Sequence, residues 1–160
     1  MPVDYLLRLF EWTRQTLIAI SQKREAGGYG PAREEIEKAC LRVTGLSFNL
    51  IRRYSPEALF DLMQLGTDPY LRSIFLAELL IQYAQISQEE GNIVDEIASN
   101  LQAYYLLSES IGLLPPVEEA AYRSKLEILA QKLSVYRDNP YVREKLTTRL
   151  GFPHKQEFKS

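Results

Sequence analysis

The chain has 160 residues, of which 46% are apolar and 25% charged, and this balance excludes a disordered or fibrous protein and favours one globular domain. Its net charge of −2 comes without the dense basic stripe that nucleic-acid binding requires. One cysteine, a polar N-terminal segment and the absence of any window with the roughly 18 apolar residues of a membrane span predict a cytoplasmic protein without a membrane partner.

The first predicted helix covers residues 3–25 and carries two apolar stripes. One stripe contains Val3, Leu6, Phe10, Leu17 and Ile20, and the other contains Tyr5, Leu9 and Trp12. Two stripes require two neighbours, so we expect this helix to lie between later helices of the chain. The alternatives for the second stripe are a homodimer face made of Tyr5, Leu9 and Trp12, or an anchor in a membrane interface. The polar face lacks the excess of Lys and Arg that such anchors use.

The turn that follows resembles the turn of a tetratricopeptide repeat. In that repeat a Gly-x-Tyr turn leads into a second helix with small residues at fixed positions. The corresponding residues here are Gly27, Tyr29, Ala32, Ile36 and Ala39. The loop leads into a second predicted helix over residues 31–43. The preceding helix departs from the repeat at Thr16, Ala19, Ile20 and Lys23.

Residues 45–66 form an insert that does not follow the repeat. A short helix is predicted over residues 47–54, and a second helix begins after Ser55 and ends at Gly66. Ser55 is a suitable N-cap, and Pro56 fits the first helical position, where a missing N–H group costs no helical hydrogen bond.

Two long apolar-faced segments between Asp68 and Gly112 predict an antiparallel helix pair at the centre of the fold. Gly91 closes the first helix, where a left-handed backbone is needed, and Asn92 caps the second, with Asp95 in the capping-box position. The repeat pattern returns here in a weaker form, at Leu80, Tyr83, Ala84 and Ala103. Because Glu96 stands where the repeat has a small residue, we interpret the chain as two degenerate repeats separated by an irregular insert.

The C-terminal part is predicted to contain one long and one short helix. Pro116 begins the long helix, whose single narrow apolar stripe contains Tyr122, Leu126, Leu129, Leu133 and Tyr136. A helix with one such stripe packs on one side only, so we expect it to cap the array. Residues 139–151 form the short helix. We expect residues 153–160 to be a disordered tail outside a single domain over residues 1–152.

Charge is unevenly distributed along the chain. Residues 54–112 contain one Lys or Arg against nine Asp and Glu, whereas each flanking segment contains nine against six. In one interpretation, the basic ends pack beside the acidic middle and balance its charge. In the other, the middle forms an acidic groove that recruits a basic partner by electrostatic steering.

The sequence offers no recognisable catalytic site. Its only histidine, His154, lies beyond the last predicted helix, and Cys40 lies on the apolar side of the second helix, where we expect a buried, unreactive thiol. Neighbouring carboxylates occur without the Glu-x-x-His, His-Glu-x-x-His or calcium-loop spacing of metal sites. We therefore predict that the protein is not an enzyme and has no cofactor and no metal site.

Three short segments carry a wider resemblance: Asp4-Tyr5-Leu6, Ser55-Pro56-Glu57-Ala58-Leu59 and Leu76-Ala77-Glu78-Leu79-Leu80. Over residues 4–135 the chain resembles a bacterial protein family of unknown function with a tetratricopeptide-like helical fold. The resemblance implies an all-α fold of about seven or eight helices, in which antiparallel hairpins stack as a short right-handed superhelix. It implies no activity.

The first functional hypothesis is a scaffold that binds a protein, a peptide or a second copy of itself through a concave helical surface. Repeats of this type bind along the first helix of each hairpin. The resemblance therefore places at the binding surface Arg14, Leu17, Ser21, Arg24, Glu78, Ile81, Gln85 and Gln88. The alternative is a helical bundle that encloses a small apolar ligand, with tyrosine hydroxyls as its polar contacts.

Overall fold

The computed structural model describes the backbone of residues 3–144 and, within that range, all side chains except those of residues 3–7 and 10. The described part is all-helical and contains no strand. Its helices are α1 (Val3–Glu25), α2 (Tyr29–Thr44), α3 (Phe48–Ile51), α4 (Pro56–Gln64), α5 (Pro69–Glu89), α6 (Ile93–Ser110) and α7 (Pro116–Ser134), with a 3₁₀ turn at Ile111–Leu113. Residues 140–144 are also helical.

The all-α prediction is confirmed, and most helix bounds agree closely with those expected. α2 begins slightly earlier than predicted, at Tyr29, because a proline such as Pro31 is tolerated throughout the first turn. The prediction for α3 was wrong, since this helix is a single turn. The backbone N–H groups of Arg53 and Tyr54 bond to carbonyls three residues earlier, so the chain tightens out of α-helical geometry. The superhelix stays a prediction, and residues 145–160, with the expected tail, lie outside the described part.

α5 is the centre of the fold, because other helices pack against it on several sides. More than half of its residues are buried, and it contacts α1, α2, α4 and α6. With α6 it forms the helix pair expected from the sequence. Ala77 and Ala84 on α5 and Ala103 on α6 are buried, and small side chains at such positions let neighbouring helices approach closely.

The turn between α5 and α6 depends on Gly91 and Asn92. Gly91 has a φ of 79°, in the left-handed region that glycine adopts without strain. The Oδ1 of Asn92 accepts a hydrogen bond from the backbone N–H of Asp95 at 3.2 Å, which confirms the predicted N-cap. The second bond of a capping box, from the backbone N–H of Asn92 to the Asp95 side chain, does not form. The backbone N–H of Asn92 donates to the carbonyl of Ser87 at 2.8 Å, so Asp95 accepts from the Asn92 side-chain amide at 2.9 Å instead.

Two side chains of the central pair fix the ends of neighbouring helices. Gln102 on α6 donates from Nε2 to the carbonyl oxygens of Ile51 and Tyr54, at 3.1 and 2.9 Å. Arg72 on α5 donates to the last two carbonyl oxygens of α2, at 3.2 and 3.4 Å. Helix ends leave such carbonyls without α-helical partners, so these bonds satisfy them and attach the ends of α3 and α2 to the core.

α7 packs on one side, as its single apolar stripe predicts. Leu126, Leu129 and Leu133 are buried, whereas Ile128 is 52% exposed. Tyr104 on α6 is fully buried. This residue lies on the enclosed helix pair, where both ring and hydroxyl are removed from solvent.

Ion pairs link the acidic middle of the chain to its basic ends. Among the described residues, such pairs join Arg24 to Glu89, Arg33 to Glu90, Arg52 to Asp95 and Lys125 to Glu78. They support the interpretation that the ends balance the charge of the middle. Because most of these groups remain partly exposed, each pair contributes at most about 1 kcal/mol, and the set fixes relative placement more than stability.

Replacing Gly91 with alanine is expected to lower the free energy of unfolding by about 1 kcal/mol, because an L residue is strained at this left-handed position. Gly30→Ala is the matched control. Gly30 lies in the first turn of α2, and a Cβ atom there meets no neighbouring atom within 4 Å. The Gly30→Ala variant should therefore be as stable as wild type or more stable. Urea denaturation followed by circular dichroism measures both variants. Equal effects of the two substitutions would contradict the turn geometry.

Candidate functional site

A groove follows α1 where this helix passes α5, and it consists of three adjoining cavities. We name them the basic, apolar and polar cavities after their lining residues, given below. The basic and apolar cavities share Leu9, Val43 and Arg72, and the apolar and polar cavities share Leu17 and Glu78. These shared residues make the three cavities one continuous surface, which we name the α1 groove.

The apolar cavity has a volume of about 300 Å³ and lies between α1, α5 and the start of α7. Its lining residues are Leu9, Thr13, Leu17, Val43, Tyr70, Leu71, Arg72, Ile74, Phe75, Glu78, Leu114, Pro115, Glu118 and Tyr122. Apolar and aromatic side chains form most of this wall, and a few polar groups lie among them. This combination is typical of sites that bind a small apolar ligand or an anchoring side chain of a partner.

The basic cavity has a volume of about 600 Å³ and lies between α1, the C-terminal end of α2 and the loop before α5. Its lining residues are Arg8, Leu9, Trp12, Arg42, Val43, Thr44, Gly45, Gly66, Thr67, Asp68 and Arg72. The Arg42 guanidinium lies over the Trp12 ring, 4.3 Å from its centroid. Trp12 also contacts Phe75 edge-on, with ring centroids 5.6 Å apart. The two contacts hold the indole ring between α2 and α5.

The polar cavity has a volume of about 400 Å³ and lies between α1, α5 and α7. Its lining residues are Arg14, Leu17, Ile18, Ser21, Gln22, Glu25, Glu78, Gln82 and Lys125. The buried Glu78 carboxylate accepts hydrogen bonds from Lys125 Nζ and, at 3.4 Å, from the Tyr122 hydroxyl. Burial, with the neighbouring Glu78 charge, raises the pKa of Tyr122 above its usual range. Its hydroxyl therefore stays protonated and acts as a donor.

Half of the predicted binding residues line the polar cavity together: Arg14, Leu17 and Ser21 of α1, and Glu78 of α5. Arg14 is largely exposed and pairs with Glu11 on its own helix at 2.8 Å. Leu17 is half-buried and reaches the apolar cavity as well. The structure thus places on one surface residues that are far apart in the sequence.

The other half of the predicted binding residues do not line any of the three cavities. Arg24 pairs with Glu89 at 3.0 Å, and Gln85 accepts a hydrogen bond from α7 at 3.3 Å. Ile81 packs against the core, and Gln88 is exposed near the end of α5. The first three side chains therefore have intramolecular contacts that a partner would have to replace.

Two residues of the alternative dimer face lie beside other helices of the chain, as expected if α1 lies between later helices. Leu9 and Trp12 line the α1 groove, and Trp12 contacts residues of α2 and α5. The side chain of Tyr5 lies outside the described residues. The homodimer stays a prediction, but the intramolecular role of Trp12 means that substitutions there also act on the fold.

Sequence reasoning missed most residues of the apolar and basic cavities. Thr13, Phe75, Tyr122 and Arg42 come from four different helices, and no local pattern relates them. Tyr122 offered the one usable signal, because it places a hydroxyl within the apolar stripe of α7. Only the packing of the helices shows that the four residues share a surface.

Cys40 agrees with the expectation of an unreactive thiol. It is fully buried, and burial raises the pKa of the thiol to about 11, so the reactive thiolate is scarce at neutral pH. Within residues 3–144, no three or more His, Cys, Asp or Glu side chains are grouped so as to hold a metal ion. In the same range, no helix has the length and apolarity needed to cross a membrane. His154 lies outside it.

Comparisons of the chain with protein-family models, with curated proteins and with solved structures found no match. The resemblance to a tetratricopeptide-like family stays a prediction.

Trp12→Ala is expected to lower the free energy of unfolding by about 2–3 kcal/mol, because it removes the indole contacts with Phe75 and Arg42 and leaves a void. Ile128→Ala, at an exposed position of α7, is the control and should change stability by about 0.5 kcal/mol or less. Urea denaturation measures both variants, and light scattering after size exclusion gives their oligomeric state. A fully stable Trp12→Ala monomer derived from a dimeric wild type would instead place Trp12 in a dimer face.

Proposed function

We propose that the chain is a non-enzymatic helical scaffold that binds a segment of a partner protein in the α1 groove. The observation that carries this proposal is the continuity of the apolar and polar cavities through Leu17 and Glu78. An apolar floor beside a polar rim is how protein surfaces commonly anchor a peptide or a helix. The resemblance to tetratricopeptide repeats supports the same surface, because Arg14 and Ser21 occupy binding positions of that repeat.

The apolar cavity supplies most of the binding free energy in this proposal. An aliphatic or aromatic side chain that enters it removes from water its own surface and that of residues such as Ile74 and Phe75. Complete burial of one such side chain contributes about 1.5–3 kcal/mol. A few anchors of this kind account for most of the affinity in typical interfaces.

The packing of α5 prepares the groove for binding. Since α5 is held by α2, α4 and α6 on its other sides, the floor of the groove is already ordered in the free protein. A surface that needs no ordering loses less conformational entropy on binding, so the same contacts give a higher affinity.

The polar rim gives the groove a means of selecting its partner. Arg14 is largely exposed, whereas Lys125 and Ser21 are partly exposed and Lys125 pairs with Glu78. Charged and hydroxyl groups at a rim contribute little to affinity, but they reject segments whose charges or hydrogen-bonding groups do not fit.

Selection from a random peptide library displayed on phage tests this proposal, with the full-length chain as bait. Thr13→Phe is the groove-blocked variant, because Thr13 is half-buried in the wall of the apolar cavity. Gln15→Phe places the same side chain at an exposed position of the same helix, outside the groove. We expect selected peptides to bind wild type and Gln15→Phe with equal affinity. Their affinity for Thr13→Phe should be at least about 10-fold lower.

Circular dichroism and thermal unfolding establish that both phenylalanine variants are folded. If no peptide binds wild type better than folded Thr13→Phe, the α1 groove is not a peptide site and the proposal fails.

The apolar cavity also favours a second candidate function, the binding of a small apolar ligand. Its volume of about 300 Å³ is at the lower end of ligand sites, and Thr13 and Tyr122 offer hydroxyl groups for orientation. Thermal unfolding with a panel of fatty acids and aromatic compounds is the test. A ligand at 100 times its Kd should stabilise the chain by about 2.7 kcal/mol, and Thr13→Phe should abolish the effect. A panel without any shift would contradict this candidate.

A further inference from the structure

The basic cavity adjoins the apolar cavity, and the proposed function assigns it no role. Building on the proposed function, we propose that the partner segment is amphipathic and directional: apolar side chains occupy the apolar cavity, and Asp or Glu residues at one end lie in the basic cavity. The partner is thus a protein segment with an acidic flank.

The charge of the basic cavity supports an acidic occupant. Its described lining contains the guanidinium groups of Arg8, Arg42 and Arg72 and a single carboxylate, that of Asp68. These charges come from α1, α2, α5 and the loop before α5, so the excess of positive charge belongs to the whole cavity. A concave surface with charge of one sign attracts segments of the opposite sign.

Arg72 offsets one source of negative potential in the basic cavity, besides the Asp68 carboxylate. The C-terminal end of α2 points its last carbonyl groups toward this region, and the negative end of the helix dipole would repel a carboxylate. Arg72 donates hydrogen bonds to both carbonyls, at 3.2 and 3.4 Å. Gly66 lies against the Arg72 guanidinium, where a Cβ atom would overlap Nη1. Arg72 is therefore held in place to neutralise the helix end.

Arg42 is the group placed to meet a carboxylate. Its guanidinium is held flat over the Trp12 ring, 4.3 Å from the centroid, while the residue as a whole is exposed. Stacking uses the face of the guanidinium and leaves the N–H groups at its edge, which match the two oxygens of a carboxylate. Because the side chain is already oriented, it loses less conformational entropy on pairing.

The two ends of the α1 groove differ in charge, and this difference gives the partner a direction. At the opposite end, the polar cavity contains Arg14 and Lys125 but also Glu25 and Glu78, so its charges are balanced. An acidic flank is favoured at the basic cavity only. Since the basic and apolar cavities share Leu9, Val43 and Arg72, the acidic residues are expected within about one helical turn of an apolar anchor.

The peptides selected on the full-length wild type provide the first test. We expect them to carry Asp or Glu on one side of an apolar pair more often than the starting library does. The affinity of individual peptides without tryptophan is then measured by fluorescence, because Trp12 is the only tryptophan of the chain and its ring lies under Arg42. A carboxylate that pairs with Arg42 should change the Trp12 emission.

Arg42→Glu reverses the charge of the basic cavity, and Arg53→Glu makes the same change at an exposed arginine outside the groove. We expect Arg42→Glu to weaken binding of acidic-flanked peptides about 10-fold at low salt and less at high salt. Arg53→Glu should bind like wild type. Peptides in which the acidic residues are replaced by Gln should bind wild type more weakly and lose the difference between wild type and Arg42→Glu.

The outcomes separate this inference from the proposed function. If selected peptides depend on Thr13 but show no acidic enrichment, or if Arg42→Glu binds acidic peptides like wild type, the acidic-flank inference is overturned while the peptide site stands. If the selected peptides are enriched in Lys or Arg, the inference is overturned in favour of a basic partner. Failure to select any groove-dependent peptide overturns the proposed function and this inference together.

Discussion

Packing around α5 determines where the other described helices lie. α1, α2, α4 and α6 each contact it, and Leu76, Leu79 and Leu80 are fully buried on it. At about 25 cal/mol per Å² of apolar surface, a helix with so few polar positions is stable only when neighbours cover most of its circumference. α1 and α7 cover its remaining side incompletely, and hydrogen bonds to Glu78 connect that side to α7. The α1 groove runs along this side: its apolar and polar cavities lie between α1, α5 and α7, and its basic cavity lies beside the end of α2.

Buried polar groups on the central pair decide how the irregular elements attach to it. Gln102 is almost completely buried, and an unpaired buried amide of this kind costs about 1–3 kcal/mol. The carbonyls of Ile51 and Tyr54 satisfy it, so the end of α3 is placed by the needs of a residue on α6. Arg72 does the same for the end of α2. Apolar burial and hydrogen bonds act together on the short insert, since Phe48, Ile51, Leu59 and Met63 are also buried in the core.

Local sequence information was sufficient for the helices but not for the groove. Periodicity located α1, and turn chemistry located Ser55 and Gly91, because each signal lies within a few residues of the element it defines. The sequence overestimated the length of α3, whose end is bonded by Gln102, 51 residues after Ile51, a contact that no local pattern reveals. The groove was not predicted for the same reason, because Trp12, Arg42 and Phe75 come together only through tertiary packing. The repeat resemblance named Arg14, Leu17 and Glu78 as binding residues, and they line one cavity; their binding role stays a prediction.

The electrostatics of the α1 groove follow from a requirement of the fold. α2 ends beside α5, and its last two carbonyls need hydrogen-bond donors because they have no α-helical partners. An arginine on α5 meets that need, and its charge then lies in the wall of a cavity whose other side is α1. The arrangement reverses the potential that the helix end would otherwise impose there. In our proposal, the residue that bonds to the end of α2 therefore also contributes to the charge preference of the groove, and Arg72 has both a structural and a binding role.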